Sequence, residues 1–409
     1  VDDSVVTLVD GAAAPVRRAR GLAPLPIVVP RDLPDILAVG AHQKNVVALT
    51  VGRRVFLSQH IGDMETPQAL VAFELVIRDF LTMYGAAPRL IAHDLHPDYM
   101  STRWAQELAT GRGPEREAPT WMDGLAGAEL VPVQHHHAHL ASCLAENGVE
   151  KRALGVIWDG TGLGTDGTIW GGEFLLGDAR SFVRRAALRR FRLPGGEVAV
   201  KEPRRVALAL LWELYGELAW SRMPNGPFED AEARILDKML AGGVRAPITT
   251  SAGRLFDGVA ALLGLRPRAA FEGQAAMELE FAADRSVDDA YPVDVVRGTE
   301  VDGPAIEIDW RSLIEALVED SFRGVSHGVI AARFHGALAK AVHRVADYVG
   351  EPTVALSGGC FQNRLLTELC CRRLRHGGFE VLVHRQVPPN DGGISLGQAA
   401  VAAAQTQDP

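Results

Sequence analysis

The sequence predicts an α/β protein with two similar lobes. Short apolar stretches typical of buried strands alternate with longer amphipathic stretches typical of helices along most of the 409 residues, and this alternation indicates α/β layers. A strand–turn–strand pattern also occurs twice, beginning at Val46 and again at Leu154. Because each copy leads into an α/β segment, we expect a duplicated lobe.

The chain divides into a lead-in and two lobes. Residues 1–34 contain four prolines after position 23, and because proline removes a donor and stiffens the backbone, we interpret this segment as a linker or the end of an upstream domain. Residues 35–150 are predicted to form the first lobe. Residues 151–409 are predicted to form the second, with a helical insertion at about residues 200–290.

The elements follow from hydrophobic periodicity and turn residues. In the first lobe we expect a hairpin of Val46–Val51 and Arg54–Gln59 around Gly52-Arg53, a helix over Pro67–Tyr84, strands Leu90–Ala92 and Val131–Val133, and a loop over residues 111–127. In the second lobe we expect strands Leu154–Trp158, Thr168–Leu176, Thr353–Leu356 and Glu380–His384, and a helix over His327–Val349 that ends at Gly350.

Composition argues against several classes of protein. Acidic residues outnumber basic ones by 51 to 42, for a net charge of −9, whereas a protein that grips a nucleic acid backbone should be basic. No run of 18 apolar residues occurs, so a membrane span is not expected. The four cysteines form no CxxC pair, which makes a reducing cytoplasm the expected location.

Four of the 13 histidines fall within five residues, at positions 135, 136, 137 and 139. If a helix begins there, His135 and His139 lie one turn apart on one face and could bind one metal ion. His136 and His137 would point elsewhere. The alternative is a polar helix N-terminus with incidental histidines.

Two aspartates could complete such a site. Asp159 ends a predicted buried strand, and Asp391 lies just beyond another, where ligands collect in α/β sheets. A set of two histidines and two aspartates suits iron, manganese or zinc. Each aspartate could instead be an ordinary turn residue.

Two glycine-rich segments could receive a phosphate or a nucleoside. Gly162 and Gly164 lie in a turn whose backbone amides have no side chains in the way. Gly358 and Gly359 follow a strand and precede a helix, where Asn363 could read a nucleoside edge. A hairpin turn and a solvated helix surface are the simpler interpretations.

Three further residues could take part in binding or catalysis. Lys201 belongs to a basic patch that could contact an anionic substrate or simply be solvated. Asp257 could cap a helix or bind a ribose. Cys360 lies in a glycine loop, but a nucleophilic cysteine needs a nearby base, and none is close in sequence.

Together these motifs resemble the hydrogenase maturation carbamoyltransferase family HypF, over roughly residues 36–400. The matching segments are residues 92–99, 133–142, 159–167, 271–276, 356–363 and 388–393.

The resemblance implies an actin-like (ASKHA, Kae1-like) fold with RNase H-like lobes. It implies that the His135, His139, Asp159 and Asp391 set holds one divalent metal ion, iron or zinc. It also implies an adenylate, from ATP or carbamoyl adenylate, held by Gly358, Gly359, Asn363 and Asp257, with Gly273 in a matching motif. The implied reaction carries a carbamoyl group to the C-terminal cysteine of HypE, where it becomes the cyanide ligand of a NiFe site.

The chain departs from the full family pattern. It shows no acylphosphatase or Cys-rich zinc domain, and residues 1–30 resemble only the tail of the YrdC-like domain, so we expect a fragment or a short natural form. Three alternatives stay open: an O-carbamoyltransferase acting on a small-molecule hydroxyl, a tRNA threonylcarbamoyl transferase, and a non-catalytic nucleotide-binding scaffold that docks HypE.

Overall fold

The structure is a computed structural model that describes residues 2–110, 120–125, 127–224, 228–298 and 303–406. Most of the loop predicted over residues 111–127 therefore lies outside the described residues. Within the described ranges, the helices are all too short or too polar to cross a membrane.

The strands, in chain order, are β1 (Val5–Val9), β2 (Ala12–Arg17), β3 (Pro26–Leu33), β4 (Ile36–Ala38), β5 (Ala48–Leu57), β6 (Leu90–Asp94), β7 (Glu129–Val133), β8 (Ala153–Leu163), β9 (Ile169–Gly177), β10 (Phe182–Leu188), β11 (Phe191–Arg192), β12 (Ile248–Thr249), β13 (Asp294–Arg297), β14 (Ile306–Asp309), β15 (Thr353–Ser357) and β16 (Glu380–Leu382).

The α-helices are α1 (Pro67–Tyr84), α2 (Met100–Ala109), α3 (His135–Glu146), α4 (Glu197–Lys201), α5 (Pro203–Tyr215), α6 (Asp230–Gly242), α7 (Ala252–Leu262), α8 (Gln274–Ala282), α9 (Arg311–Phe322), α10 (His327–Val349), α11 (Arg364–His376) and α12 (Ile394–Thr406). Short 3₁₀ turns cover Thr120–Leu125, Gly216–Arg222, Gly359–Gln362 and Asp391–Gly393.

Two mixed sheets share one topology. The first runs β3-β5-β4-β6-β7, and the second runs β13-β14-β10-β9-β8-β15-β16. In each, a central strand (β4 or β8) has an antiparallel neighbour on one side and two parallel strands on the other. The predicted α/β fold with duplicated lobes is therefore confirmed. The five strands that the sheets share differ in order at one position, because β3 precedes its sheet's central strand in the chain whereas β10 follows its own, and the second sheet also contains β11, β12, β13 and β14.

Two helices are exchanged between the lobes. Helix α3 follows the first sheet in sequence but packs on β8, β9 and β15 of the second, whereas α12 ends the described chain and packs on β4, β5 and β6 of the first. The two helices also cross each other closely. A methyl group at Gly397 would lie only 1.8 Å from the carbonyl oxygen of Ala138, so this crossing brings backbone against backbone.

The long predicted helices have clear end signals. Helix α1 begins after Thr66, whose side chain accepts the amide of Ala69, and it ends at Gly85 with φ of 59°. Helix α10 covers the predicted His327–Val349 and ends at Gly350 with φ of 72°. The left-handed conformation that stops each helix costs glycine little.

The predicted hairpin around Gly52-Arg53 is wrong. Gly52 lies inside the single strand β5, whose first part pairs with β4 and whose second part pairs with β3. The chain reverses earlier, between residues 39 and 47. The second predicted turn contains fewer residues than expected, because β8 continues to Leu163. The turn is closed by a hydrogen bond from the Gly164 amide to the Thr168 oxygen at 2.9 Å.

The lead-in segment is structured. Strands β1 and β2 form a hairpin that packs beside α11, where Asp10 accepts a hydrogen bond from Arg375 at 2.7 Å. Strand β3 is the edge strand of the first sheet. Residues 26–33 lie in the segment interpreted as a linker or the end of an upstream domain, and in the structure they form part of the first lobe's sheet.

Candidate metal centre

Four side chains from three distant segments meet between the lobes. His135 and His139 lie in the first two turns of α3, Asp159 lies in β8 where the pairing with β9 is interrupted, and Asp391 opens the turn before α12. One ligand atom from each residue lies within 4.8 Å of all the others. The structure thus brings together all four predicted metal ligands.

The spacing of these atoms fits one divalent ion. The Nε2 atoms of His135 and His139 lie 3.5 and 3.1 Å from Asp159 Oδ2, and 3.7 and 3.9 Å from Asp391 Oδ1. Ligands bound at about 2.1 Å lie roughly 3.0–4.2 Å apart around one ion. His135 Nε2 is also buried without a hydrogen-bond partner among the described residues, which an ion would supply.

The charges point the same way. Burial, together with the nearby Asp159 carboxylate, raises the pKa of Asp391 to about 7 against the opposing influence of His135. Burial also acts to raise the pKa of Asp159, but its contacts with the imidazoles of His135 and His139 hold that pKa well below its usual range. A divalent cation between the two carboxylates would relieve their repulsion and stabilise both charges.

The backbone amides of Gly359 and Gly160 hold Asp159 in place, while Gly358 packs closely against the backbone of Trp158. The Gly359 amide donates to Asp159 Oδ1 at 3.1 Å, and the Gly160 amide donates to the same oxygen at 2.8 Å. A methyl group at Gly358 would lie 2.2 Å from the Trp158 oxygen, and one at Gly359 would lie 2.8 Å from Asp159 Oδ1. The two amides therefore fix Oδ1 and leave Oδ2 facing the histidines.

Gly162 and Gly164 have packing reasons for being glycine. A methyl group at Gly162 would lie 2.4 Å from the His136 ring, and one at Gly164 would lie 2.2 Å from the indole nitrogen of Trp170. Gly162 pairs with Trp170 across the hairpin, and the Gly164 amide closes the turn. The segment is thus a packed hairpin, and its predicted role in nucleotide binding stays a prediction.

The predicted nucleotide residues of α7 and α11 already have partners. Asn363 caps α11, accepting the Leu366 amide at 2.8 Å, and its Nδ2 lies 2.9 Å from His335 Nε2. Asp257 is buried in α7 and pairs with Arg254 at 3.1 Å. Burial raises the pKa of Asp257 to about 6, with Arg254 opposing.

Lys201 and Gly273 lie on exposed or half-exposed surfaces. Lys201 ends α4 and is exposed, while the neighbouring Arg205 forms ion pairs with Glu202 and Glu232. The basic patch predicted around Lys201 is therefore partly neutralised. Gly273 precedes α8 with φ of 76°.

The other two histidines of the cluster do point elsewhere. His137 Nε2 lies 2.7 Å from the Asp178 oxygen. The His136 ring packs edge-on against Trp170. Both are buried, and neither belongs to the group of four.

Lys44 and Glu272 are site residues that the sequence analysis did not single out. They form an ion pair between the first lobe and the loop before α8. Burial lowers the pKa of Lys44, but the carboxylates of Asp391, Glu272 and Asp159 raise it more. Lys44 has φ of 46°, an uncommon conformation for a non-glycine residue. Only the tertiary structure shows that its ammonium group faces the metal ligands.

Comparison with known families defines the class of protein first. Residues 31–146 match the family described as the HypF Kae1-like domain. Residues 155–398 match the second subdomain of the Kae1-like domain of carbamoyltransferases. The chain thus has both parts of a two-lobed Kae1-like fold.

Relatives and solved structures agree. The chain is 38% identical to carbamoyltransferase HypF of Synechocystis, over 97% of this chain and 51% of the relative. It is 37% identical to a carbamoyltransferase HypF homolog of Cupriavidus necator, over 91% of this chain and 93% of the relative. A crystal structure of full-length HypF in a phosphate- and nucleotide-bound form has a TM-score of 0.88 at 36% identity, covering 98% of this chain and 60% of that one.

A second solved structure, T. kodakarensis HypF, has a TM-score of 0.84 at 32% identity, over 98% of this chain and 52% of that one. The chain therefore belongs to the HypF carbamoyltransferase family. It spans about half the length of the full-length HypF relatives it matches, such as 51% of the Synechocystis protein.

Proposed function

We propose that the chain transfers a carbamoyl group from carbamoyl adenylate to the C-terminal cysteine thiol of HypE, in the synthesis of the cyanide ligand of NiFe hydrogenase. Family membership supports the carbamoyl chemistry. The observation that carries the proposal is the buried set of two histidines and two aspartates at one point between the lobes. This donor set suits iron or zinc.

The reaction is an acyl transfer. The HypE sulfur forms a bond to the carbamoyl carbon, the bond from that carbon to the phosphate oxygen breaks, AMP leaves, and the thiol proton is released. A divalent ion, when bound, polarises the carbonyl and stabilises the charge that develops on its oxygen. His135, His139, Asp159 and Asp391 would hold that ion.

The remaining residues bind and orient the substrate. Lys44 supplies a cation that faces the carboxylates of Asp391 and Asp159, so we assign it the phosphate of the adenylate. We place the nucleotide along the second lobe beside Asp257, Gly273, Gly358 and Gly359. The nucleotide-bound HypF structure supports an adenylate partner for a protein of this fold.

The test is intact mass spectrometry of a HypE C-terminal peptide after incubation with the chain, carbamoyl adenylate and Fe²⁺ or Zn²⁺. We expect one carbamoyl group on the peptide cysteine. His139→Ala should abolish both metal binding and transfer, whereas His137→Ala, which changes a neighbouring histidine that faces Asp178, should retain both. Full transfer by metal-free His139→Ala would refute the mechanism. AMP release without peptide modification would refute the acceptor.

A further inference from the structure

Each histidine of the metal centre is also held through its second ring nitrogen, and the two holding groups come from different lobes. His135 Nδ1 lies 2.8 Å from Asp94 Oδ2, at the end of β6 in the first sheet. His139 Nδ1 lies 3.4 Å from Ser357 Oγ, at the end of β15 in the second sheet. All four side chains are buried.

Asp94 is fixed from its other side. Its Oδ1 accepts the His96 amide at 2.8 Å, and its carbonyl oxygen accepts the Thr102 hydroxyl at 3.1 Å. Oδ2 is thus aimed at His135. Because a carboxylate only accepts, the proton of His135 sits on Nδ1 and the lone pair of Nε2 faces the other metal ligands.

A longer chain of contacts stands behind His139. Ser357 Oγ lies 2.8 Å from His384 Nε2, and His384 Nδ1 lies 3.5 Å from Glu146 Oε2. His384 Nδ1 faces the Glu146 carboxylate without a hydrogen bond among the residues that the structure describes. The carboxylate favours a proton on that nitrogen, and with the proton there His384 Nε2 accepts the Ser357 hydroxyl and the Ser357 oxygen accepts from His139 Nδ1. This one direction of donation leaves the lone pair of His139 Nε2 on the metal side.

Glu146 also links these hydrogen-bonding side chains to the segment that carries a third candidate ligand, Asp391. Its carboxylate accepts the backbone amides of Arg385 at 2.7 Å and Val387 at 3.0 Å. These residues begin the segment that leads to Asp391. The last turn of α3 therefore fixes the segment after β16 that leads to Asp391.

We propose that Asp94, and Ser357 together with His384, are positioning residues for the metal ion, so that each lobe orients one of its two histidines. Partners of this kind fix the ring orientation and tautomer of a metal-bound histidine. The inference rests on the proposed metal site. It goes beyond that site in making the ion's coordination depend on both lobes.

The test is binding of Co²⁺ to the whole apoprotein, followed by the visible absorption of the bound ion and by competition with a chelator. Asp94→Asn and Ser357→Ala should each weaken Co²⁺ binding roughly 10–100-fold and alter its absorption spectrum. Ser357→Thr, which keeps the hydroxyl, should restore affinity. Two matched controls should bind as tightly as the unmodified chain: Ser101→Ala, a buried serine bonded to the Gly40 oxygen, and Asp309→Asn, a buried carboxylate paired with Arg311.

The Co²⁺ measurements either support the inference or overturn it. Unchanged Co²⁺ affinity and spectrum in both Asp94→Asn and Ser357→Ala would overturn the inference, as would equal losses in the two controls. Because no carbamoyl adenylate or peptide is present, this outcome is separate from that of the transfer assay. An unmodified chain that binds no Co²⁺ would instead overturn the metal centre itself.

Discussion

Replacing Gly359 with alanine tests whether the backbone turn after β15 sets the position of a metal ligand. The new methyl group would lie 2.8 Å from Asp159 Oδ1, whereas ordinary contact begins at 3.4 Å. Alanine adopts the backbone conformation of Gly359 without strain, so the backbone itself has no reason to shift. The clash must therefore be relieved by the Asp159 carboxylate, which must move by about 0.6 Å. This movement would break or lengthen the hydrogen bond from the Gly359 amide, now 3.1 Å.

The expected loss follows from the geometry of the site. The second oxygen of Asp159 lies 3.1 Å from His139 Nε2, so a shift of the carboxylate moves one of four ligands out of register with the others. Metal sites need distances held to within about 0.2 Å. We expect metal affinity to fall by roughly 10–100-fold, as it does when groups that orient a ligand are lost.

Titration of the apoprotein with Zn²⁺ against a chelating competitor measures this loss. The matched control is Gly124→Ala, because a methyl group there would meet no atom of the described residues within 4 Å. Urea unfolding of both apoproteins would show whether Gly359→Ala is destabilised overall. A Gly359→Ala variant that binds Zn²⁺ as tightly as the Gly124→Ala control would refute the assignment of Asp159 as a ligand held by this turn.

Three further changes have expected outcomes. Burial lowers the pKa of His335 to about 4 from 6.5. Between these two pH values the unfolded chain binds more protons than the folded chain, so the free energy of unfolding should fall by roughly 2 kcal/mol from pH 7 to pH 5. Urea unfolding of His335→Gln should show a weaker dependence on pH. Gly397→Val should lower the unfolding free energy by about 1–3 kcal/mol or more, because even a methyl group would lie 1.8 Å from the Ala138 oxygen; an unchanged melting temperature would contradict the close crossing of α3 and α12. Lys44→Ala should change the free energy of unfolding by less than about 1 kcal/mol, since the ion pair of Lys44 with Glu272 is partly exposed. The same variant should slow carbamoyl transfer roughly 10²-fold in the peptide mass assay. A normal rate would show that Lys44 does not act in the site.

Much of the fold could be predicted because its signals are local. The 3.6-residue periodicity between Thr66 and Gly85 defines α1 completely, and the apolar runs before Asp159 and Ser357 mark β8 and β15. The Gly52 hairpin was wrong because two β-rich runs around glycine look the same whether the chain turns or continues. In β5 the strand continues and changes partner from β4 to β3, and that pairing depends on residues distant in sequence.

Some residues of the candidate site could likewise be predicted from local sequence, whereas others depend on tertiary packing. His135 and His139 follow from helical spacing, and Asp159 and Asp391 from the rule that ligands gather at strand ends. Lys44 and Asp94 face the same centre, but each meets its partner only through the packing of segments far apart in the chain. Gly162 and Gly164 predict a phosphate site from sequence, and in the structure they pack against the rings of His136 and Trp170. Their role in phosphate binding stays a prediction, because glycine-rich turns look alike in sequence whether they leave room for a ligand or for a buried ring.

The exchange of α3 and α12 explains why the centre lies where it does. His135 is at the start of α3, Asp391 is just before α12, and the two helices touch at Ala138 and Gly397. The ligands therefore lie at a crossing where α3 contributes apolar side chains to the cores of both lobes, and separating the lobes there would expose those side chains. Lys44 and Glu272 instead meet through a partly exposed pair, which costs little to open. If the proposed function holds, we expect the four candidate metal ligands to keep their positions at this crossing, and the Lys44–Glu272 pair to open at little cost when substrate binds.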